Sequence, residues 1–135
     1  MTARFVDSNV FVYHFAGDPN YGKRATEILS SIERGELAAT STLVVTQVCG
    51  YLKWKMRQSV IPVCLSLLKK LTSLEKVETS ILDFEEARDM QAKYSFDWRE
   101  WDDLVIGAQM KRMKISEIYS NDMDFDKLPE VKRIF

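Results

Sequence analysis

The chain is poor in the residues that build small stapled or metal-thiolate proteins. It has one histidine, two cysteines, three prolines and five glycines in 135 residues. Cys49 and Cys64 lack metal-ligand spacing and suggest no disulfide framework, so both read as core thiols. His14 lies among aromatic residues and reads as a packed side chain rather than a catalytic one. Long apolar runs are missing: Leu43-Val44-Val45 is far too short to cross a bilayer. No signal peptide is visible at Met1–Arg4, so a cytoplasmic protein without membrane contact is expected. Repeats, linkers and low-complexity stretches are also absent.

What is present is a globular composition, with 46% hydrophobic and 29% charged residues. A chain of this length buries about two-thirds of its unfolded surface, enough for one core. A single domain over residues 1–135 is expected. Net charge is −1 but unevenly spread. Residues 37–74 carry Lys53, Lys55, Arg57, Lys69 and Lys70 and no acid, whereas residues 75–103 carry four bases and ten acids. A basic stretch beside acidic ones suits a metal-dependent nuclease, in which cations hold phosphates near carboxylates. Two solvated helix faces of opposite sign explain the same pattern.

Short apolar runs alternate with helical periodicity. Arg4–Val6 reads as a first strand, followed by a helix carrying Val10, Phe11, Tyr13 and Phe15. After the turn Gly17–Asn20, a second helix presents Ala25, Ile28, Leu29 and Ile32 and ends at Gly35. Leu37–Thr40 reads as a second strand, and a third helix, capped by Ser41 or Thr42, runs from Val44 to Lys55. Pro62 begins or interrupts another helix; Lys76–Ile81 alternates as a third strand, and Asp83–Lys93 is helical. Beyond an aromatic loop (94–101), Asp102 opens a helix. Glu117–Tyr119 is a fourth strand, residues 120–126 form a polar loop, and 131–135 supply a last edge strand. This alternation predicts one α/β domain around a mostly parallel sheet of four or five strands.

In open α/β sheets ligands bind beyond the carboxyl ends of the strands. Asp7 follows the first strand, Asp122 follows the fourth, and Asp102 stands at a helix start. Three acids distant in sequence could converge there, and clustered carboxylates repel unless a cation neutralises them. Oxygen ligands favour Mg²⁺ or Mn²⁺ over zinc. Each acid also has a plain role. Asp7 and Asp102 could cap helices, and Asp122, Asp124 and Asp126 could form an Asx-rich turn. Asp102 and Asp103 are adjacent, so at most one of them is expected to face a site.

The segments Phe5-Val6-Asp7-Ser8-Asn9, Trp101-Asp102-Asp103-Leu104 and Tyr119-Ser120-Asn121-Asp122-Met123-Asp124, in this order and spacing, resemble the PIN-domain ribonucleases, including the VapC-like toxins of toxin–antitoxin pairs. The resemblance implies Mg²⁺- or Mn²⁺-dependent hydrolysis of RNA phosphodiesters on a three-layer α/β/α sandwich with a mostly parallel sheet. It implies Asp7, Asp102 and Asp122 as catalytic and metal-binding acids, with Asp124 at the site or on a water of the metal. Ser120 would support the last acid, and Asn9 matches a polar position of the family. An antitoxin partner and a homodimer are implied as well. One position departs from the pattern. Where the family places a glutamate on the third helix stands Gln47, and no acid occurs between Glu36 and Glu75 to replace it. An amide oxygen still ligates a metal, but without charge, which weakens the hold on a second ion.

Under that reading Lys53, Lys55 and Arg57 would track the phosphate backbone, and Trp98 or Trp101 would stack on a base. The alternative is a PIN-like domain that has lost hydrolysis and acts in RNA or protein binding, which Gln47 favours. A haloacid-dehalogenase-like phosphatase would need a second aspartate where Asn9 stands. A phospho-receiver would need an acceptor aspartate after the third strand, and Glu78–Ile81 offers none.

Overall fold

The computed structural model describes residues 3–135. Five parallel strands form one sheet: β1 (Arg4–Val6), β2 (Ala38–Ser41), β3 (Leu74–Val77), β4 (Glu117–Tyr119) and β5 (Lys132–Arg133), in the order β3-β2-β1-β4-β5. Between them run α1 (Ser8–Ala16), α2 (Gly22–Glu33), α3 (Thr42–Trp54), α4 (Ile61–Lys70), α5 (Ile81–Tyr94) and α6 (Trp101–Met113). Short 3₁₀ turns occupy Gln58–Val60, Trp98–Glu100 and Met123–Lys127. Helices α1, α2 and α3 pack together and α5 packs on α6. Right-handed crossovers put these two groups on opposite faces, which makes the three-layer sandwich.

Strands covered on both faces read as continuous apolar runs, and this sheet shows it. Phe5, Val6 and Ile118 are fully buried, and all four residues of β2 are buried. The hydroxyl of buried Thr40 donates to the carbonyl of Val6 at 2.9 Å, tying β2 to the end of β1. Gly17 closes α1 in the left-handed region at φ 60°, where a side chain would add strain.

The third strand is the main departure from expectation. It lies at Leu74–Val77, not Lys76–Ile81, because Ser80 and Asp83 form a capping box that starts α5 at Ile81. Ser80 amide nitrogen donates to Asp83 Oδ2 at 2.9 Å. The polar loop after β4 and part of the aromatic loop coil into 3₁₀ turns, and α6 begins at Trp101. His14 is only half-buried, with Nδ1 2.8 Å from Thr26 Oγ1. Cys64 is buried and Cys49 partly so, and neither is in a disulfide.

The chain leaves β1 toward β2 and β3 on one side and returns to β4 and β5 on the other. The β1/β4 boundary is therefore the topological switch point, and the end of β1 and the end of β4 open onto it. Among the described residues no helix is long and apolar enough to cross a membrane.

Candidate metal centre

Asp7 follows β1 and caps α1, so its backbone is extended and its carboxylate turns back to the helix start. Oδ1 accepts from Ser8 amide nitrogen at 2.7 Å, and Oδ2 accepts from Ser120 Oγ at 2.7 Å. The helix-cap reading of Asp7 therefore holds, while its second oxygen is tied to Ser120 at the end of β4. The group is 4% exposed. Burial pushes its pKa up to about 6, against the hydrogen bonds that favour the charge and with the help of nearby Asp122.

Ser120 is the hub between the two strands. Its hydroxyl also accepts from Asn9 Nδ2 at 3.2 Å and from Asp122 amide nitrogen at 3.1 Å. Asn9 Nδ2 donates as well to Asn121 Oδ1 at 3.1 Å, where Tyr13 adds a second hydroxyl donor at 2.9 Å. Asp122 then starts the 3₁₀ turn, its Oδ1 accepting from Asp124 amide nitrogen at 2.9 Å. The Asx turn is thus real, and it aims both side chains at the same place. Asp126 is turned away, paired with Arg133 through two contacts of 3.0 Å.

The third acid of the group is Asp103, whereas Asp102, the residue expected from the sequence, lies outside it. Carboxylate oxygens of Asp103, Asp122 and Asp124 all lie within 4.8 Å of one another. Burial first, then the charges of Asp122 and Asp7, hold the Asp103 carboxyl far above the usual carboxylate range. Asp124 is raised too, by burial and by Asp122 and Glu100. Asp102 is exposed, and its Oδ2 accepts from Gln47 Nε2 at 3.1 Å. Neighbouring side chains on a helix diverge by about 100°, so only one of the pair can face the sheet end. Every residue from Leu104 to Met110 is buried, so apolar periodicity gave no rule for choosing.

Gln47 on α3 therefore meets the acids only at their margin, through Asp102. Its Oε1 is buried and has no hydrogen-bond partner. Two further residues escaped the sequence reading. Glu100, just before α6, binds Lys127 Nζ through Oε1 at 2.5 Å, and Lys127 Nζ lies 3.6 Å from Asp124 Oδ1. No spacing rule marks either one.

Hard carboxylate oxygens in this arrangement suit a divalent cation such as Mg²⁺ or Mn²⁺. The electrostatics agree, because raised pKa values at Asp7, Asp103 and Asp124 mark a cluster short of positive charge. Among the described residues, the ion pair from Lys127 to Asp124 is the one that reaches the cluster. Of the expected nucleic-acid contacts, Lys53, Lys55 and Arg57 are exposed, with Lys55 Nζ 4.6 Å from the Trp54 ring centroid. Trp98 is 62% exposed and its ring lies 5.6 Å from that of half-buried Trp101.

A parallel five-stranded α/β sandwich with acids gathered at the β1/β4 switch defines a class of carboxylate-centred α/β domains. The sequence model of the PIN domain matches residues 4–131, and the chain belongs to the PIN domain family. Solved structures share the fold at low identity. VapC20 of Mycobacterium tuberculosis, a sarcin–ricin loop cleaving toxin, superposes with a TM-score of 0.78 at 17% identity, over 94% of this chain and 95% of that one. VapBC2 of Rickettsia felis, bound to a DNA fragment from its promoter, gives 0.72 at 15% identity, over 98% of each chain. A toxin–antitoxin complex from Klebsiella pneumoniae gives 0.68 at 17% identity, over 96% of each. No curated protein matches the sequence.

Proposed function

We propose that this chain is a divalent-metal-dependent ribonuclease that hydrolyses RNA phosphodiester bonds, and that it acts as the toxin of a toxin–antitoxin pair. The observation that carries the reading is the meeting of Asp103, Asp122 and Asp124 at the switch point, with Asp7 joined to Asp122 through Ser120 and the carboxyls of Asp7, Asp103 and Asp124 raised in pKa. These four would hold Mg²⁺ or Mn²⁺ directly or through waters, which revises the set expected from sequence by one residue. The ion, when bound, polarises the phosphate and activates a water for in-line attack on phosphorus. Ser120 keeps Asp7 oriented toward the cluster through its 2.7 Å hydrogen bond, and the Asp122–Asp124 turn keeps the opposite wall in place. The raised carboxyls take up protons in the absence of metal, so binding releases protons and strengthens with pH. Trp98 and Trp101, whose rings lie 5.6 Å apart just before Asp103 in the chain, would offer a surface on which an unpaired base can stack.

A cytoplasmic setting and an antitoxin partner belong to the same reading, as does a homodimer. Apolar side chains left exposed at Trp54, Met56, Val63 and Leu65 support a protein contact on the α3/α4 side. A mass in light scattering that stays monomeric at every concentration would remove the dimer.

The deciding experiment is cleavage of labelled RNAs in Mg²⁺ and Mn²⁺ by wild type, Asp7→Asn, Asp102→Asn, Asp103→Asn and Gln47→Glu. Metal-dependent cleavage reduced roughly 100-fold or more in Asp7→Asn and Asp103→Asn, but only modestly in Asp102→Asn, is expected. Cleavage that survives Asp7→Asn overturns the shared-acid site. The second reading, a domain that binds without hydrolysis, rests on the neutral amide of Gln47. It gains if only Gln47→Glu cuts.

A further inference from the structure

Lys127 is placed oddly for a surface lysine. It ends the 3₁₀ turn that carries Asp124, yet its ammonium reaches Glu100 at the start of α6. Glu100 is largely buried, with 14% of its side chain exposed, and its Oε2 is buried without a hydrogen-bond partner. The ring of Phe96, itself in the core, lies 5.6 Å beneath the ammonium. An ammonium has three N–H donors. One goes to Glu100 at 2.5 Å and a second side faces Asp124 at 3.6 Å, while half of the lysine side chain remains open to solvent. Among the described residues the third donor has no recorded acceptor.

We infer that Lys127 is a phosphate-positioning residue. It is held by Glu100 and Phe96 at the rim of the carboxylate cluster so that its remaining N–H binds a non-bridging oxygen of the substrate phosphate. The inference rests on the ribonuclease reading and assigns a second positive charge to that site. The need for one follows from Gln47. An amide in place of a carboxylate leaves the α3 side of the site without the charge that would hold another cation, whereas Lys127 brings a fixed positive charge to Asp124. Glu100 supplies the restraint, because a lysine stem free to rotate loses much of its value as a clamp. A lysine that served only to quiet repulsion among the acids would have no reason to be shared with Glu100 and open to solvent.

The test uses the full chain and compares wild type, Lys127→Met, Lys127→Arg and Lys111→Met. Lys111 makes an ion pair of the same kind with Glu86, 2.6 Å away, outside the cluster. Three quantities are read: Mn²⁺ affinity without RNA, the salt dependence of RNA binding in metal-free buffer, and the steady-state kcat and KM. In Lys127→Met, kcat/KM should fall at least tenfold while Mn²⁺ binding is unchanged or tighter, because a neighbouring cation has been removed. The slope of log affinity against log salt should drop by about one. Lys127→Arg should restore most of the loss, and Lys111→Met should resemble wild type throughout. An unchanged kcat/KM in Lys127→Met overturns the assignment, as does a loss of Mn²⁺ affinity in proportion to the loss of activity. A wild type that neither binds Mn²⁺ nor cuts RNA overturns the ribonuclease reading and the phosphate role together, and it is told apart by needing no variant.

Discussion

Asp7 does two jobs that pull against each other. It caps α1, and it is a buried carboxylate whose raised pKa makes the charged form unfavourable in the absence of metal. Asparagine keeps the cap acceptor and offers an amide donor to Ser120. Asp7→Asn should therefore lose Mn²⁺ binding yet melt higher than wild type in metal-free buffer at pH 7, measured by calorimetry. The pH sign follows from linkage. With a folded pKa of about 6 against 3.8 unfolded, the native state holds the proton more tightly. Stability from Asp7 is thus full below about 4 and is lost as pH rises through 6. The difference corresponds to roughly 3 kcal/mol. Asp103 acts in the same direction to higher pH, while His14, its pKa lowered by burial, acts in the opposite one. Subtracting the Asp7→Asn profile from that of wild type should leave a loss of stability between pH 4 and 6.5, and a flat difference would contradict the burial of this carboxylate. At this scale the sequence was partly legible. Asp7 and Asp122 lie at the strand ends that the sequence marked, and Asn9, Ser120 and Asp124, which the family resemblance singled out, lie beside them. Asp103 was hidden because it is adjacent to an equally acidic residue on a helix buried on nearly every side. Glu100 and Lys127 were hidden because their partnership is made only in three dimensions.

Elements hold these residues in place through a few close approaches. A Cβ on Gly107 would stand 2.6 Å from Leu128 Cδ1, so the segment after the Asp122–Lys127 turn lies directly on α6, one turn along from Asp103. Gly107→Val should cost about 1–3 kcal/mol through overpacking and should weaken Mn²⁺ binding, since the turn and the helix carry facing acids. Thermal melts and a metal titration check both parts, and a destabilised variant with unchanged metal affinity would show that the two are uncoupled. On the other side of α6, Arg112 binds buried Asp83 through Nε at 2.7 Å and Nη2 at 2.9 Å. Arg112→Ala leaves that carboxylate buried without its cation and should destabilise by about 2 kcal/mol, less than for a wholly buried pair because the arginine is 41% exposed. Helix and strand order was readable because apolar spacing changes period at each junction. The β3/α5 boundary was misread because Ser80-Ile81 alternates like a strand while Ser80 and Asp83 together cap a helix. Local alternation and local capping gave opposite answers, and the capping box decided.

At the scale of the whole molecule, ligand linkage should dominate. A divalent ion that binds only the assembled acids stabilises the fold by RT ln(1 + [L]/Kd). The gain in melting temperature with Mn²⁺ should be larger at pH 7.5 than at pH 5.5, because protons compete for Asp7 and Asp103. An equal gain at both pH values would place the ion elsewhere. Lys53, Lys55 and Arg57 are exposed around the end of α3, where Arg57 Nη2 donates to the carbonyl of Phe15 at 3.1 Å. The sheet has a further consequence, in the order of synthesis. Strand β1 pairs with β4 through Phe5 and Ile118, and Ser120 reaches Asp7 across 113 positions of chain. Closing so long a loop is slow and comes late in folding. A nascent chain leaving the ribosome carries Asp7 from the outset but gains its facing carboxylates, Asp103, Asp122 and Asp124, only when the last quarter has emerged and docked. The acid cluster is therefore incomplete until translation is nearly over, and any truncation before β4 removes both Asp122 and Asp124.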